Sequence, residues 1–326
     1  MRKKYIYSSC FADLLSSYIE SRRQMGFKYD NPAYWLKRFD QFCTYKGVTE
    51  PEITKELYDE WSNRFDAETK TTQNNRLQAV KGFSNYLNAR GICSYIPLQL
   101  PKPEKNIPYL MSDSDIQEFF TKLDQSKHQS HNQIFIRMRE EYKVLFRLIY
   151  CCGLRNNEAC TLKIENVNTA NGIITILNAK GNKDRLVYLA DDVNSLLNEY
   201  INWLTSLCHV TTGWLFPGRS IEMSVPKTSV DRIFSSIWNQ TSVSKHCDKK
   251  PTVHCLRHAF VIKRINLWME NDISLDSMMP YLSNYLGHKG PIETHYYYHS
   301  VEDAFKTVRR KDTISARVIP EVCHED

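Results

Sequence analysis

Apolar side chains return every three or four positions through most of the first hundred residues. The pattern is clearest over residues 11–19 and 34–42, and it resumes over residues 53–65 and 72–90. This spacing keeps the apolar side chains on one face of a helix, so it predicts four helices. Gly91 follows the fourth pattern, where a residue in the left-handed conformation commonly ends a helix. Four short helices of this kind predict an all-α bundle.

The rest of the chain mixes helical spacing with two short strands. Residues 173–177 and 185–189 are rich in β-branched and apolar side chains, and the polar run over residues 180–184 predicts a hairpin turn between them. Six helical patterns accompany this hairpin, over about residues 113–123, 133–152, 192–207, 230–238, 253–269 and 275–286. Pro280 lies within the last pattern and predicts a kink or a later start. We therefore expect a mainly α (α+β) domain with a small β-sheet.

A proline-rich stretch separates these two parts of the chain. Prolines stand at positions 97, 101, 103 and 108, and each one restricts its predecessor and removes a backbone donor. Such a stretch is typical of an extended linker. Ser112 and Asp115 then match a capping box, which predicts the start of a new helix. The expected organisation is a two-domain chain, with the all-α bundle over residues 1–106 and the second domain over residues 107–326.

Positive charge is concentrated in the first part. The chain of 326 residues carries a formal charge of +6, and residues 1–107 alone hold 17 Lys and Arg against 12 Asp and Glu. A basic excess favours a polyanionic partner, with nucleic acid the first candidate. Lys70, Thr72 and Arg76 open the fourth helical pattern, where amides and cations can face phosphates. A solvated first turn explains these three residues equally well, so they are candidate DNA contacts.

The composition narrows the class of protein. With 42% hydrophobic and 25% charged residues, the chain matches neither a disordered protein nor a coiled-coil rod. No apolar stretch approaches the roughly 20 residues of a membrane helix, so we expect no membrane partner. The ten Cys are scattered without a C-x-x-C motif, which favours a reducing, cytoplasmic location. The spacing of Cys247, His254 and Cys255 matches no zinc finger, and we expect neither a metal nor another cofactor.

Five short motifs carry side chains suited to phosphate chemistry, although each has an ordinary structural explanation alone. Arg155, in Gly-Leu-Arg, offers a planar fork of donors, and Glu158 follows one helical turn later as its natural orienting partner. Lys180 lies in the predicted hairpin turn, where its ammonium can reach a ligand; Lys183 and Arg185 compete for that role. A helix-end ion pair and a solvated turn are the plainer explanations.

The other three motifs lie in the last quarter of the chain. His254 and Arg257 are three residues apart and therefore share a helical face. His288 follows Leu-Gly at the predicted end of a helix, where a histidine commonly interacts favourably with the helix dipole. Residues 296–298 are three consecutive tyrosines, which usually pack but can include a nucleophile. Together the five motifs would supply two arginines, two histidines, an acid and a nucleophile for phosphoryl transfer without a metal.

In this order the motifs resemble the catalytic domain of the tyrosine recombinases, also called the phage integrase family. The family's boxes G-L-R-x-x-E, H-x-x-R-H and L-G-H match residues 153–158, 254–258 and 286–288. The hairpin box, G-K-G-N-K-x-R in many bacterial members, matches residues 179–185 except at Ala179, and this match selects Lys180 over Lys183. The family's nucleophile usually lies nine residues after the last histidine, and this count from His288 gives Tyr297. The motifs look closer to simple recombinases and bacterial mobile-element integrases, without an added amino-terminal DNA-binding domain. The first domain is similar to the family's helical core-binding domain, which clamps DNA.

The resemblance implies a role for each matched residue. Tyr297 would attack a scissile phosphate to form a 3′-phosphotyrosyl link, and Lys180 would protonate the leaving 5′-oxygen. The transition-state phosphate would be held by Arg155, Arg257 and His288. His254 would assist proton transfer, and Glu158 would support the site. No metal and no ATP would be required.

The resemblance also implies partners and leaves two rivals. The expected partners are a double-stranded DNA recombination site and three further copies, in a homotetramer on two DNA sites. Residues 301–310 would dock on a neighbour, and an accessory DNA-bending protein is a further candidate. The expected location is the bacterial cytoplasm, in association with the nucleoid. The rivals are a type IB topoisomerase-like enzyme that relaxes DNA and a non-catalytic DNA-binding regulator on the same fold.

Overall fold

The computed structural model describes residues 4–103, 108–126, 132–177, 184–206, 209–210, 213–247, 249–288 and 290. The chain folds as two compact units, residues 1–107 and residues 108–326. The first unit is helical and the second is mainly helical with a small sheet. The predicted fold class is therefore confirmed. No helix within the described residues is both long and apolar enough to cross a lipid bilayer.

Four α-helices form the first unit: α1 (Ala12–Gln24), α2 (Asp30–Tyr45), α3 (Lys55–Ser62) and α4 (Lys70–Asn88). Helix α1 is longer than the apolar pattern that predicted it. Its last turn is polar and basic and therefore adds nothing to that pattern. Side-chain caps set the starts of the last two, where Thr54 and Thr69 each accept a hydrogen bond from the amide three residues later. Gly91 adopts a positive φ of 79° just beyond the end of α4.

Aromatic side chains fill the centre of this bundle. The ring of Phe11 lies 6.0 Å from that of Phe39 and 5.8 Å from that of Phe83, measured between centroids. None of the three is exposed to solvent. Burial of such large rings is the dominant stabilising contribution in a small bundle, because each removes about 150–250 Å² from water.

The second unit contains seven described α-helices and two short 3₁₀ helices. The α-helices are α5 (Asp113–Gln125), α6 (Gln133–Cys152), α7 (Asn156–Cys160), α8 (Asp191–Ser206), α9 (Lys227–Trp238), α10 (His254–Glu270) and α11 (Leu275–Leu286); the 3₁₀ helices are Ile164–Asn166 and Val243–Lys245. The predicted capping box at Ser112 and Asp115 is present at the start of α5. Pro280 lies inside α11, so this helix does not start later.

A three-stranded antiparallel sheet accompanies these helices. Its order is β1 (Val167–Asn168), β2 (Ile173–Ile176) and β3 (Arg185–Tyr188). Strands β2 and β3 pair from Ile173 opposite Tyr188 to Ile176 opposite Arg185, as the hairpin prediction requires. The sequence pattern missed β1, since two residues are too few to show alternation. Residues 180–183 of the predicted turn, including Lys180 and Lys183, lie outside the described residues.

Helix α6 runs through the core of the second unit. Its buried face includes Leu145, Phe146, Leu148 and Ile149, none of which is exposed. It packs against α5, α7, α8 and α10. The carboxyl end of α6 is therefore held firmly, and the chain that leaves it at Gly153 begins the candidate site.

Candidate active site

The turn between α6 and α7 presents Arg155. Helix α6 ends at Gly153, whose φ of 61° lies in the left-handed region. A side chain there is excluded, because an added Cβ would lie 2.6 Å from the Phe260 ring. Arg155 then takes an extended conformation as the N-cap of α7. Glu158, in the first turn of α7, accepts hydrogen bonds from the Arg155 amide (2.9 Å) and Nη1 (2.8 Å).

Arg185 binds the same carboxylate from strand β3. Its Nη1 and Nη2 donate to the two oxygens of Glu158 at 2.9 and 2.8 Å, and its Nε donates to the Tyr285 carbonyl at 2.8 Å. Burial alone would raise the pKa of Glu158. The hydrogen bonds and charge of Arg185, reinforced by Arg155, outweigh that effect and lower the pKa to about 2. Glu158 is therefore ionised at neutral pH and binds two guanidinium groups at once.

Arg257 lies in the first turn of α10 and is 1% exposed. Its Nη1 donates to the Gly153 carbonyl at 2.6 Å, and its Nη2 donates to the Leu286 carbonyl at 2.7 Å. The same Nη2 lies 3.1 Å from His288 Nε2. A guanidinium has only donors, so this ring nitrogen is the acceptor of the hydrogen bond.

The end of α11 completes the cluster. Gly287 has a φ of 63°, and its carbonyl accepts a 2.6 Å hydrogen bond from Arg155 Nη2. An added Cβ at this glycine would lie 3.2 Å from Arg185 Nη1 and 3.3 Å from Arg155 Nη1. His288 follows directly and donates its backbone amide to the Ser283 carbonyl. The Leu-Gly-His motif thus supplies two carbonyls that orient arginines and one imidazole beside them.

His254 opens α10 next to these cations. Partial desolvation, followed by the charges of Arg257, Arg155 and Lys227, lowers its pKa to about 4, although its side chain is still exposed at the surface. The ring of His258 lies 4.5 Å away in an edge-to-face arrangement, and desolvation, followed by the neighbouring His254 and Arg257, lowers the pKa of His258 to about 3. Both imidazoles are therefore neutral at pH 7.

The described part of the site has a clear excess of positive charge. The guanidinium groups of Arg155 and Arg185 bind the carboxylate of Glu158, and that of Arg257 binds the Gly153 and Leu286 carbonyls of the same cluster. Such a cluster suits a bound phosphate, because guanidinium donors match phosphate oxygens in geometry and charge. Among the described residues, no three His, Cys, Asp or Glu side chains converge as a metal site would need.

The structure brings together most of the residues selected from the sequence. Arg155, Glu158, Arg257 and His288 meet through the hydrogen bonds above, and His254 lies within reach of their charges. Lys180 and Tyr297 lie outside the described residues.

Sequence reasoning left the role of Arg185 open and missed Lys227. The sequence presents Arg185 as a rival to Lys180 for the proton-donating role, whereas its guanidinium is bound to Glu158 and to a backbone carbonyl. Lys227, exposed at the start of α9, lies near enough to His254 for its charge to affect that imidazole.

The candidate DNA contacts of the first unit require one correction. Lys70 is exposed in the first turn of α4, and Thr72 hydrogen-bonds the capping Thr69. Arg76, in contrast, is 0% exposed and holds both oxygens of Glu68 at 2.9 Å. Its guanidinium also donates to the Trp61 and Asn63 carbonyls and stacks on two aromatic rings. The predicted phosphate contact at Arg76 is therefore wrong, since this side chain is a structural cross-link.

Comparisons with known proteins agree with this site. The sequence model of the phage integrase family matches residues 111–303, which include every catalytic candidate. A candidate integrase/recombinase of Sinorhizobium fredii, y4rB, is 28% identical over 93% of this chain and 97% of its own length. The tyrosine recombinase XerD of Pseudomonas aeruginosa is 25% identical over 71% of this chain and 75% of its own length.

Solved structures show the same fold. The XerH site-specific recombinase bound to its palindromic difH substrate, in a post-cleavage complex, aligns with a TM-score of 0.64 at 21% identity, over 88% of this chain and 79% of that one. A lambda integrase dimer bound to a core site aligns with a TM-score of 0.62 at 13% identity, over 87% and 94%. These relatives favour recombination over the topoisomerase and regulator alternatives. Because the family match spans more than half of the sequence, the chain belongs to the phage integrase family and is a tyrosine-type site-specific recombinase.

Proposed function

We propose that this recombinase cleaves and rejoins double-stranded DNA through a 3′-phosphotyrosyl intermediate formed by Tyr297. The observation that carries the proposal is the convergence of Arg155, Arg257 and His288 beside the ionised Glu158. Hydrogen-bond donors that are already in position stabilise the charge that develops in the transition state. They do so without first having to reorganise. Here backbone carbonyls hold both arginines in place.

Phosphate binding changes the hydrogen bonds of this cluster. A scissile phosphate competes for Nη2 of Arg257, which in the free protein faces His288 Nε2. His288 donates a hydrogen bond from its ring to a non-bridging oxygen of the same phosphate. The negative charge of the phosphate also raises the pKa of His254 from its low value. His254 then becomes able to accept the phenolic proton of Tyr297.

Cleavage and rejoining follow as two displacements at phosphorus. The Tyr297 oxygen forms a bond to phosphorus while the bond to the 5′-oxygen breaks, and Lys180 donates the proton that makes this oxygen a hydroxyl. In the reverse sense, a 5′-hydroxyl attacks the phosphotyrosine and releases the phenol. The covalent link retains the energy of the phosphodiester bond, so neither ATP nor another cofactor enters the cycle.

The larger assembly is also part of the proposal. The helical first unit clamps the DNA, with Lys70 and Thr72 as phosphate contacts at the start of α4. Four copies act on two recombination sites, and residues 301–310 of each copy dock on a neighbour. An accessory DNA-bending protein assists at the nucleoid. The DNA-bound state named for the related XerH and lambda integrase structures supports the DNA partner, while the tetramer, the docking segment and the accessory protein follow from the family resemblance.

A covalent-capture experiment tests the function. A library of duplexes with randomised centres, each nicked near the centre, loses a short fragment after cleavage, so the phosphotyrosyl product cannot be religated. We expect protein-linked DNA that survives denaturant, with one enriched sequence, and peptide mapping should place the link on Tyr297. Tyr297→Phe should abolish capture, whereas Tyr296→Phe and Tyr298→Phe should retain it. A link to either neighbouring tyrosine, or no captured DNA, would contradict the proposal.

A further inference from the structure

We propose that Arg185 is a positioning residue that fixes Arg155 through their shared partner, Glu158. This inference rests on the proposed function, in which Arg155 holds the scissile phosphate. Arg185 then holds another arginine in place rather than donating a proton, and strand β3 contributes to the site that binds the scissile phosphate.

The hydrogen bonds form a continuous chain from strand β3 to the phosphate-binding guanidinium. Arg185 uses Nη1 and Nη2 for the two oxygens of Glu158, and Glu158 Oε1 also accepts from Arg155 Nη1 at 2.8 Å. The other end of the Arg155 fork donates to the Gly287 carbonyl. Two partners therefore fix the plane of the Arg155 guanidinium, and Arg185 fixes one of them.

Arg185 also ties this chain to α11. Its Nε donates to the Tyr285 carbonyl at 2.8 Å, two residues before the carbonyl that Arg155 uses. The side chain of Arg185 is only 9% exposed, so both interactions are largely shielded from water. Charge-assisted hydrogen bonds of this kind are strong and directional. The position of β3 relative to α11 therefore affects the orientation of Arg155.

Charge supplies a second, independent part of the inference. The groups that face Glu158 are Arg155 at the N-cap of α7, Arg185 on β3 and His254 on α10, while α11 contributes carbonyls to the arginines. Burial opposes ionisation of Glu158, and Arg185 is the larger of the two arginine contributions that overcome it. Without Arg185 the pKa of Glu158 rises, and a protonated Glu158 loses its charge-assisted hold on Arg155.

Four variants separate positioning from mere stability: Arg185→Gln, Arg185→Lys, Glu158→Gln and the double glutamine variant. Arg219→Gln is the matched control, because it removes one exposed arginine of the same unit. Single-turnover cleavage and DNA affinity are measured on the duplex recovered by covalent capture. A misplaced reacting group typically costs about 10²-fold in rate, so we expect Arg185→Gln to cleave about 10²-fold more slowly with affinity changed less than about threefold.

The double glutamine variant and Arg185→Lys each have a distinct expected cleavage rate. If Arg185 and Glu158 act through one chain of bonds, the double variant should be about as slow as the slower single variant. Arg185→Lys keeps the charge and one carboxylate contact, so it should recover to within about tenfold of wild type. Multiplied single effects in the double variant, or an Arg185→Gln rate within about threefold of wild type, would overturn the proposal.

A DNA-free measurement keeps this test separate from the proposed function. The melting temperatures of wild type, Arg185→Gln and Arg219→Gln are compared between pH 4 and pH 8. A depressed carboxyl pKa stabilises the folded state above the unfolded pKa, and a raised one destabilises it there. The deficit of Arg185→Gln should therefore be largest at neutral pH and shrink toward pH 4, whereas Arg219→Gln should show no such trend. A deficit that is the same at every pH would overturn the link to Glu158 even if wild-type cleavage is never observed.

Discussion

Replacement of Gly287 by alanine would disturb two arginines of the site with a single methyl group. An added Cβ would lie 3.2 Å from Arg185 Nη1 and 3.3 Å from Arg155 Nη1, and 3.4 Å from the Arg185 Cδ. Both nitrogens already donate to Glu158, at 2.9 and 2.8 Å. Neither guanidinium can move away from the methyl group without lengthening one of these bonds.

The expected cost to folding comes mainly from the backbone. Gly287 has a φ of 63°, and a left-handed conformation costs an alanine roughly 1–2 kcal/mol. The expected cost to catalysis is larger, because a guanidinium displaced by a few tenths of an ångström loses its alignment with the phosphate. We expect cleavage to slow by about 10–10²-fold, which corresponds to about 1.4–2.8 kcal/mol of transition-state stabilisation.

Single-turnover cleavage and urea denaturation together measure the two effects. Gly172→Ala is the matched control, since Gly172 has a φ of 61° in the same unit and an added Cβ would make only an ordinary 3.5 Å contact. The control should lose similar stability but keep nearly the wild-type cleavage rate. If Gly287→Ala cleaves as fast as Gly172→Ala, the arginines tolerate the methyl group and the account of this glycine is refuted.

Three further predictions address the proton donor and the first unit. Lys180→Ala should slow cleavage of ordinary DNA by about 10²–10⁴-fold and recover most of its rate on a 5′-bridging phosphorothioate, whose leaving thiolate needs no proton; rescue of Lys183→Ala instead would reverse the assignment. Arg76→Met should lower the free energy of unfolding by about 3–5 kcal/mol in urea, because it leaves Glu68 buried without its cation; a loss below about 1 kcal/mol would contradict the cross-link. Lys70→Ala should change stability by less than about 0.5 kcal/mol and reduce the log–log salt slope of DNA binding by about one, and an unchanged slope would exclude a phosphate contact.

The fold was largely predictable because its signals are local. The bounds of α6, Gln133–Cys152, and of α11, Leu275–Leu286, agree with the apolar spacing, and both helices end at glycines with positive φ. The strands β2 and β3 likewise follow from two β-branched runs around a polar turn. Strand β1 was not predictable, because its two residues are defined only by their pairing with β2.

Most residues of the site could be predicted from the sequence, but the hydrogen bonds that link them could not. Arg155 and the Gly287 carbonyl are 132 positions apart in sequence, and Arg185 and Glu158 are 27 apart, so spacing cannot reveal these bonds. For Arg76 the sequence suggested a solvent-exposed side chain that contacts DNA, because its neighbours in the sequence are polar. Only the folded bundle brings Glu68 and two aromatic rings around its guanidinium.

Within the part of the second unit that the structure describes, three guanidinium groups and the carboxylate of Glu158 come together in one cluster. Arg155, Arg185 and Arg257 therefore repel one another across the site, with an excess of two positive charges beside Glu158. A polyanion that enters the site relieves this repulsion in the folded state and finds no such arrangement in the unfolded chain. By thermodynamic linkage, DNA acts as a folding ligand for the catalytic unit and raises its melting temperature as the DNA concentration increases. We expect the same repulsion to make the protein sensitive to inorganic anions, so that sulfate or phosphate in a buffer would stabilise the unit and compete with the scissile phosphate.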